Sequence, residues 1–188
     1  YHLVADGSDV ARSQWDEAFY RKPFFGTLVY EGVVYDHVRF HNRGTGSTYI
    51  AGKNKWGLKF NRGHEFAARD VHGRPYAHRW DSLNLNPGLS TPYLPVHCGI
   101  AGLDEAVSFR AYQIAGVPSV NTHWVQWRVV STEAEATTGD QYAGDVCGLA
   151  LCVQDMDGDW LQERGLADGN VYSIQSGRKH LARGMPAD

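Results

Sequence analysis

A chain of 188 residues, 43% hydrophobic and 21% charged, has the composition of a folded domain and excludes an intrinsically disordered one. Its net charge is −3, and its basic residues are scattered apart from short groups at Lys53/Lys55/Lys59 and Arg178/Lys179. That excludes a general nucleic-acid binder, which concentrates basic charge on one surface.

No apolar run approaches the roughly 20 residues needed to cross a bilayer, so no membrane span is expected. The opening "YHLVADGSDVARSQW" has neither the basic nor the apolar region of a signal peptide. A short helix is predicted around Ser13–Tyr20, and "RKPFFGTLVY" then reads as a strand entry. Gly32–His41 alternates as a strand, with Val38 and Phe40 on one face and Arg39 and His41 on the other. "NRGTGSTYIAGKNK" is a Gly-rich turn region, and Trp56–Phe60 a short strand with Trp56, Leu58 and Phe60 on one face.

Residues 61–101 look irregular, a length of connection that is usually functional or mobile. A helix is predicted at Leu103–Ala115, its apolar stripe formed by Leu103, Ala106, Val107, Ala111 and Ile114. Gly116 and Pro118 supply the stop. His123–Val130 alternates again, and Val146–Val153 is apolar enough for a strand covered on both faces. The two are expected to pair as an antiparallel hairpin. "DGDWLQERGL" predicts a short helix and Val171–Ile174 a last strand. The expected fold class is α+β, an antiparallel sheet of about five strands with one main helix packed on it.

Motifs for several chemistries are missing: there is no phosphate loop of the Walker type, no GxSxG, no HExxH and no CxxC. Cys98, Cys147 and Cys152 are odd in number and cannot form a fully paired disulfide framework. In "DMDGDWLQE", Asp155, Asp157, Asp159 and Glu163 offer carboxylate oxygens to a hard cation, but the glycine and final acid miss the EF-hand positions. The same acids also suit a helix N-terminus, whose dipole they complement. Together with six tryptophans they leave open a calcium-dependent carbohydrate-binding module. The Lys53/Lys55/Lys59 group beside a Gly-rich turn suits phosphate or a solvated face.

Several segments in order resemble the CotH (spore coat protein H) kinase family. They are "VRFHNRGTGS" with Arg39, Arg43 and Gly44, then "KNKWGLKF", "SLNLN", "DEAVSFRAYQIAGVPS" and "GDVCGLALCVQDMDGDWLQERGLADGNVYSI". The resemblance runs from about residue 30 to the C-terminus. It implies an N-terminal extension over residues 1–30 and, over 31–188, the N-lobe of a protein-kinase-like fold, ending before the catalytic segment. The implied activity is an atypical ATP-dependent phosphotransferase acting on Ser or Thr of secreted or surface proteins, with ATP and Mg²⁺ as cofactors. No catalytic residue is expected within this stretch, and the absent C-terminal lobe is expected to pack on it.

By the same resemblance, Lys59 would pair with Glu105 to hold nucleotide phosphates, with Lys53 or Lys55 as substitutes for Lys59. Arg39 would lie on the strand over the nucleotide, and Asp157 would face metal. Gln154 stands where the family has Glu, which removes a charge. That departure, with Ala150 and Ser173, points alternatively to a degenerate binding or structural module at a cell surface or spore envelope.

Overall fold

The computed structural model describes residues 1–16, 22–43, 55–86, 102–136 and 145–172. Two-residue alternation dominates these segments and produces seven strands. They are β1 (His2–Ala5), β2 (Phe24–Tyr30), β3 (Val33–Arg43), β4 (Lys55–Lys59), β5 (Ser82–Asn86), β6 (Thr122–Val130) and β7 (Asp145–Gln154). Among the described residues the helices are short: α1 (Gly7–Trp15), α2 (Leu103–Ile114) and α3 (Gly158–Glu163), with a 3₁₀ turn at Glu133–Ala136. None is long and apolar enough to cross a membrane.

The strands form a closed barrel in the order β1-β2-β3-β4-β5-β7-β6. Closure depends on β1, which pairs antiparallel with β2 (Leu3↔Leu28) and parallel with β6 (Leu3↔Val129). The turn from β2 to β3 needs positive φ at both central residues, met by Glu31 (47°) and Gly32 (79°). Gly26 allows β1 and β2 to approach: a Cβ there would stand 2.8 Å from the Val4 carbonyl oxygen.

The barrel interior is filled by its own inward side chains. Leu3, Leu28, Tyr35, Val38, Phe40, Trp56, Leu58, Leu83, Leu85, Trp127, Val129 and Cys152 are all buried in one cluster. Predicted faces hold here: Val38 with Phe40, Trp56 with Leu58 and Phe60, and Val125 with Trp127 and Val129 are buried. The predicted antiparallel pairing of the last two long strands holds as well.

The expected fold class does not hold. Instead of an open antiparallel sheet carrying a packed helix, as in a kinase N-lobe, the sheet closes on itself. The physical reason is that β1 joins β2 to β6, so the apolar face is covered by other strands rather than by a helix. The helix foreseen at Leu103–Ala115 forms, but none of its residues is buried. It rests outside, where Ala106 and Phe109 lean on a smaller cluster of Val120, Leu151, Val153 and Trp160.

Of the helix foreseen near Ser13–Tyr20, residues 17–20 lie outside the described residues; α1 starts at Gly7, where Asp6 caps it by accepting from the Ser8 and Asp9 amides. Within the stretch expected to be irregular, Ser82–Asn86 is a strand between β4 and β7. Val171 and Tyr172 are not in a strand, and the rest of that predicted element lies outside the described residues.

Candidate functional site

Neighbouring strands bring two distant acidic stretches together. In the antiparallel ladder of β5 and β7, Leu83 sits opposite Gln154. The chain entering β5 therefore meets the chain leaving β7. Asp81 and Ser82 face Asp155, Asp157 and Asp159, which run from the end of β7 into α3. Asp81, Asp157 and Asp159 each offer a carboxylate oxygen, all within 4.8 Å of one another and all partly buried.

Local bonds fix this arrangement. The Asp81 amide donates to Asp159 Oδ2 (3.1 Å), and Asn84 Nδ2 donates to Asp155 Oδ1 (3.1 Å). Ser82 Oγ lies 2.7 Å from Asp81 Oδ1 and 2.8 Å from Asp157 Oδ2. Asp157 also caps α3, accepting from the Trp160 amide (3.1 Å).

Crowding three carboxylates perturbs their protonation. Burial, together with the hydrogen bond to Asp81, pushes Asp157 up to about 7. Burial also raises Asp159. Asp81 goes the other way: burial opposes its ionisation, but hydrogen bonds from Asp157 and Ser82 and the Lys59 ammonium hold it below its ordinary value. Asp81 and Asp157 thus behave as a pair sharing one proton.

Cations border the acids on one side. Lys59 Nζ stands 3.7 Å from Asp81 Oδ2. Lys59 is opposite Ser82 on one side and opposite Arg39 on the other, so Arg39, Lys59 and Ser82 run in line across three strands. Directly opposed residues share a face, and Arg39 and Lys59 are both exposed. Of the residues expected at the site, Lys59 and Asp157 both border Asp81, and Arg39 lies one strand beyond Lys59.

Others go elsewhere. Lys53 lies outside the described residues. Lys55 is exposed at the far end of β4, opposite Arg43. Glu105, in the first turn of α2, accepts from Asn86 Nδ2 with both oxygens (2.9 and 2.8 Å). Asn86 ends β5 and Ser82 begins it, roughly 13 Å apart at the usual rise per residue. Lys59 meets Asp81 and Glu105 meets Asn86, so the expected pair is not brought together.

Gln154 is 2% exposed and holds the chain around it in place. Its Nε2 donates to Glu163, its Oε1 accepts from the Asn121 amide (3.2 Å), and Asn121 Nδ2 also reaches Glu163 (3.1 Å). Asp81 is the site residue that sequence reasoning missed. The signal available was "DSLNLN": an acid placed just ahead of an alternating segment is delivered to whatever ends the neighbouring antiparallel strand.

The donor set is entirely oxygen, which suits a hard cation such as Mg²⁺ or Ca²⁺ rather than a soft transition metal. The fold and site together define a closed β-barrel with an acidic, cation-compatible cluster at one rim. Compared with known proteins, the sequence matches no family model and no curated protein.

Proposed function

We propose that this chain binds a hard divalent cation and, through it, a phosphorylated ligand, with Mg²⁺ and ATP as the pair that the CotH kinase resemblance implies. One observation carries the reading: Asp81, Asp157 and Asp159 converge within 4.8 Å beside Lys59 and Arg39. Carboxylates that retain a proton near neutral pH are relieved when a cation replaces that proton. Asp81, Asp157 and Asp159 would hold the ion, which would supply positive charge toward a phosphate, and the ammonium of Lys59 and the guanidinium of Arg39 would add to that charge. Phosphoryl transfer to Ser or Thr of a secreted or surface protein is the activity this reading extends to.

A second reading is binding without transfer, as an attachment module at a cell surface or spore envelope. The observation that favours it is Gln154, whose neutral amide is occupied by Asn121 and Glu163 and lends no charge to a metal or a lysine.

Isothermal titration with Mg²⁺, Ca²⁺ and Mg²⁺·ATP tests the proposal on the wild-type chain and on Asp81→Asn/Asp159→Asn. Cation binding by the wild type, lost in the double variant, is the expected result. Nucleotide binding only when Mg²⁺ is present separates the phosphate reading from simple cation binding. No heat with any of the three overturns both parts.

A further inference from the structure

Strand register gathers basic side chains that are dispersed along the sequence. Pairing of β3 with β4 sets Arg39 opposite Lys59, His41 opposite Gly57 and Arg43 opposite Lys55. Opposed residues share a face, and so do alternate residues of one strand. The intervening Phe40, Asn42, Trp56 and Leu58 are buried, so the three pairs lie on the outside of the barrel. Arg39, Lys55 and Lys59 are exposed, and His41 and Arg43 partly exposed. At about 6.7 Å between alternate residues, the two rows run roughly 13 Å along the barrel wall.

Two rings lie among these cations. Phe25 stands opposite Arg39 on β2 and is 57% exposed, so Phe25, Arg39 and Lys59 run in line across three strands. His41 occupies the space over Gly57: a Cβ at that glycine would stand 2.6 Å from His41 Cε1. The missing side chain at Gly57 therefore seats the imidazole between the two cationic pairs. Lys59 is shared with Asp81 at 3.7 Å, which marks the border with the acidic cluster. From there the cationic face extends away, to Arg43 and Lys55 at the far end of β4.

We propose that this outer face of β3 and β4 binds a single-stranded nucleic acid. Its cations match a backbone with one charge per nucleotide, and Phe25 and His41 offer rings on which unpaired bases stack. Stacking separates this occupant from an acidic peptide or a bare polyphosphate, which carry charge without bases. A duplex keeps its bases stacked inside and cannot place one on Phe25. With a net charge of −3, the remaining surface does not attract a polyanion, which confines binding to this face. The site shares Arg39 and Lys59 with the phosphate reading above but needs no bound cation, so a chelator separates the two.

Fluorescence anisotropy with a labelled oligothymidylate, in EDTA and over a range of salt, tests this on the intact chain. For single strands, log K falls against log salt with a slope of about −0.7 for each phosphate neutralised, so Arg39, Arg43, Lys55 and Lys59 together predict about −3. Arg43→Gln/Lys55→Gln should make the slope shallower by about 1.4. Phe25→Ala should weaken binding about tenfold. The same variant should leave the affinity for an abasic oligomer of equal length unchanged, which a misfolded chain would not do. No binding of the oligothymidylate at low salt overturns the proposal, and so does an unchanged slope in the double variant. An abasic oligomer or inorganic polyphosphate bound as tightly as the oligothymidylate also overturns it, because the face is then a general polyanion site.

Discussion

Ser82 Oγ sits 2.8 Å from Asp157 Oδ2 while also 2.7 Å from Asp81 Oδ1, and one hydroxyl hydrogen cannot serve both acceptors. The second contact is satisfied when Asp157 keeps its own proton, which agrees with its value near 7. An acid whose folded value lies above its unfolded one stabilises the fold fully below the unfolded value, about 4, and loses that contribution as pH rises through the folded one. Asp157→Asn keeps the α3 cap and a donor toward Asp81 while removing the charge. The variant is expected to be more stable than wild type above pH 7, on the order of 1 kcal/mol, and to lose the Mg²⁺ or Ca²⁺ thermal shift. Urea denaturation at pH 5 and pH 8 with and without cation checks both. A variant less stable than wild type at pH 8, or one that retains the shift, counts against the cluster as a cation site.

His123 gives the opposite slope. Burial lowers its pKa to about 4, so the folded chain holds the imidazole neutral. A group whose folded value is depressed contributes stability that is present above its unfolded value, near 6.5, and lost as pH falls toward the folded one. The full contribution is on the order of 3 kcal/mol. His123→Gln can keep a bond to the Tyr1 hydroxyl and does not titrate. The stability difference between wild type and variant should therefore shrink between pH 6.5 and 4 in thermal unfolding. A constant difference across that window would falsify the assignment of a buried neutral imidazole.

Gly26 is fixed by backbone, not by a side chain that can move. A methyl group there meets the Val4 carbonyl oxygen at 2.8 Å, Leu3 Cδ1 at 3.0 Å and Ala5 Cβ at 3.1 Å. Because β1 closes the barrel, prising it from β2 is felt around the whole ladder. Gly26→Ala is expected to cost about 1–3 kcal/mol, read as a lower urea midpoint with an unchanged slope. An unaffected midpoint would show that β1 is not seated against β2 as described.

Legibility differed sharply between strands and closure. Alternation at Val125, Trp127 and Val129 and at Trp56, Leu58 and Phe60 marked strands and their inner faces, because burial on one side leaves a period-two trace. Four residues, His2–Ala5, are too few to show such a trace, yet they decide between an open sheet and a barrel. At the candidate site, Asp157 and Lys59 were visible as members of local charge groups. Asp81 was not, because only the ladder of β5 with β7 brings it there. The Lys59–Glu105 pairing rested on a lobe geometry that the closed barrel replaces.

Gln154 invites a direct test of whether an acid is tolerated at its position or the amide is required by its neighbours. Its Nε2 donates to the Glu163 carboxylate, whose side chain is 7% exposed. Gln154→Glu replaces that donor by a second buried carboxylate, leaving two like charges facing each other and one acceptor without a proton. The expected loss is about 2–3 kcal/mol at pH 7, smaller at pH 5, where one of the two can take up a proton. Urea unfolding at both pH values measures it. A neutral or stabilising effect would mean that the pocket around Gln154 accepts an acid.

The outer face of α2 is apolar where a solvent-facing helix is ordinarily polar. Val107 is 56% and Ile114 74% exposed, with Leu103 on the same stripe. The stripe predicted from the sequence is thus divided: Leu103, Val107 and Ile114 are exposed, while Ala106 leans with Phe109 on the cluster of Val120, Leu151, Val153 and Trp160. Side chains that leave no cavity and lose no buried contact contribute little to the fold. Val107→Lys and Ile114→Lys are each expected to change stability by less than about 0.5 kcal/mol. Both should lower self-association in sedimentation velocity at high protein concentration, since they place charge within an exposed apolar patch. A loss above about 2 kcal/mol, of the size seen on emptying a core position, would mean that this face of α2 is buried after all.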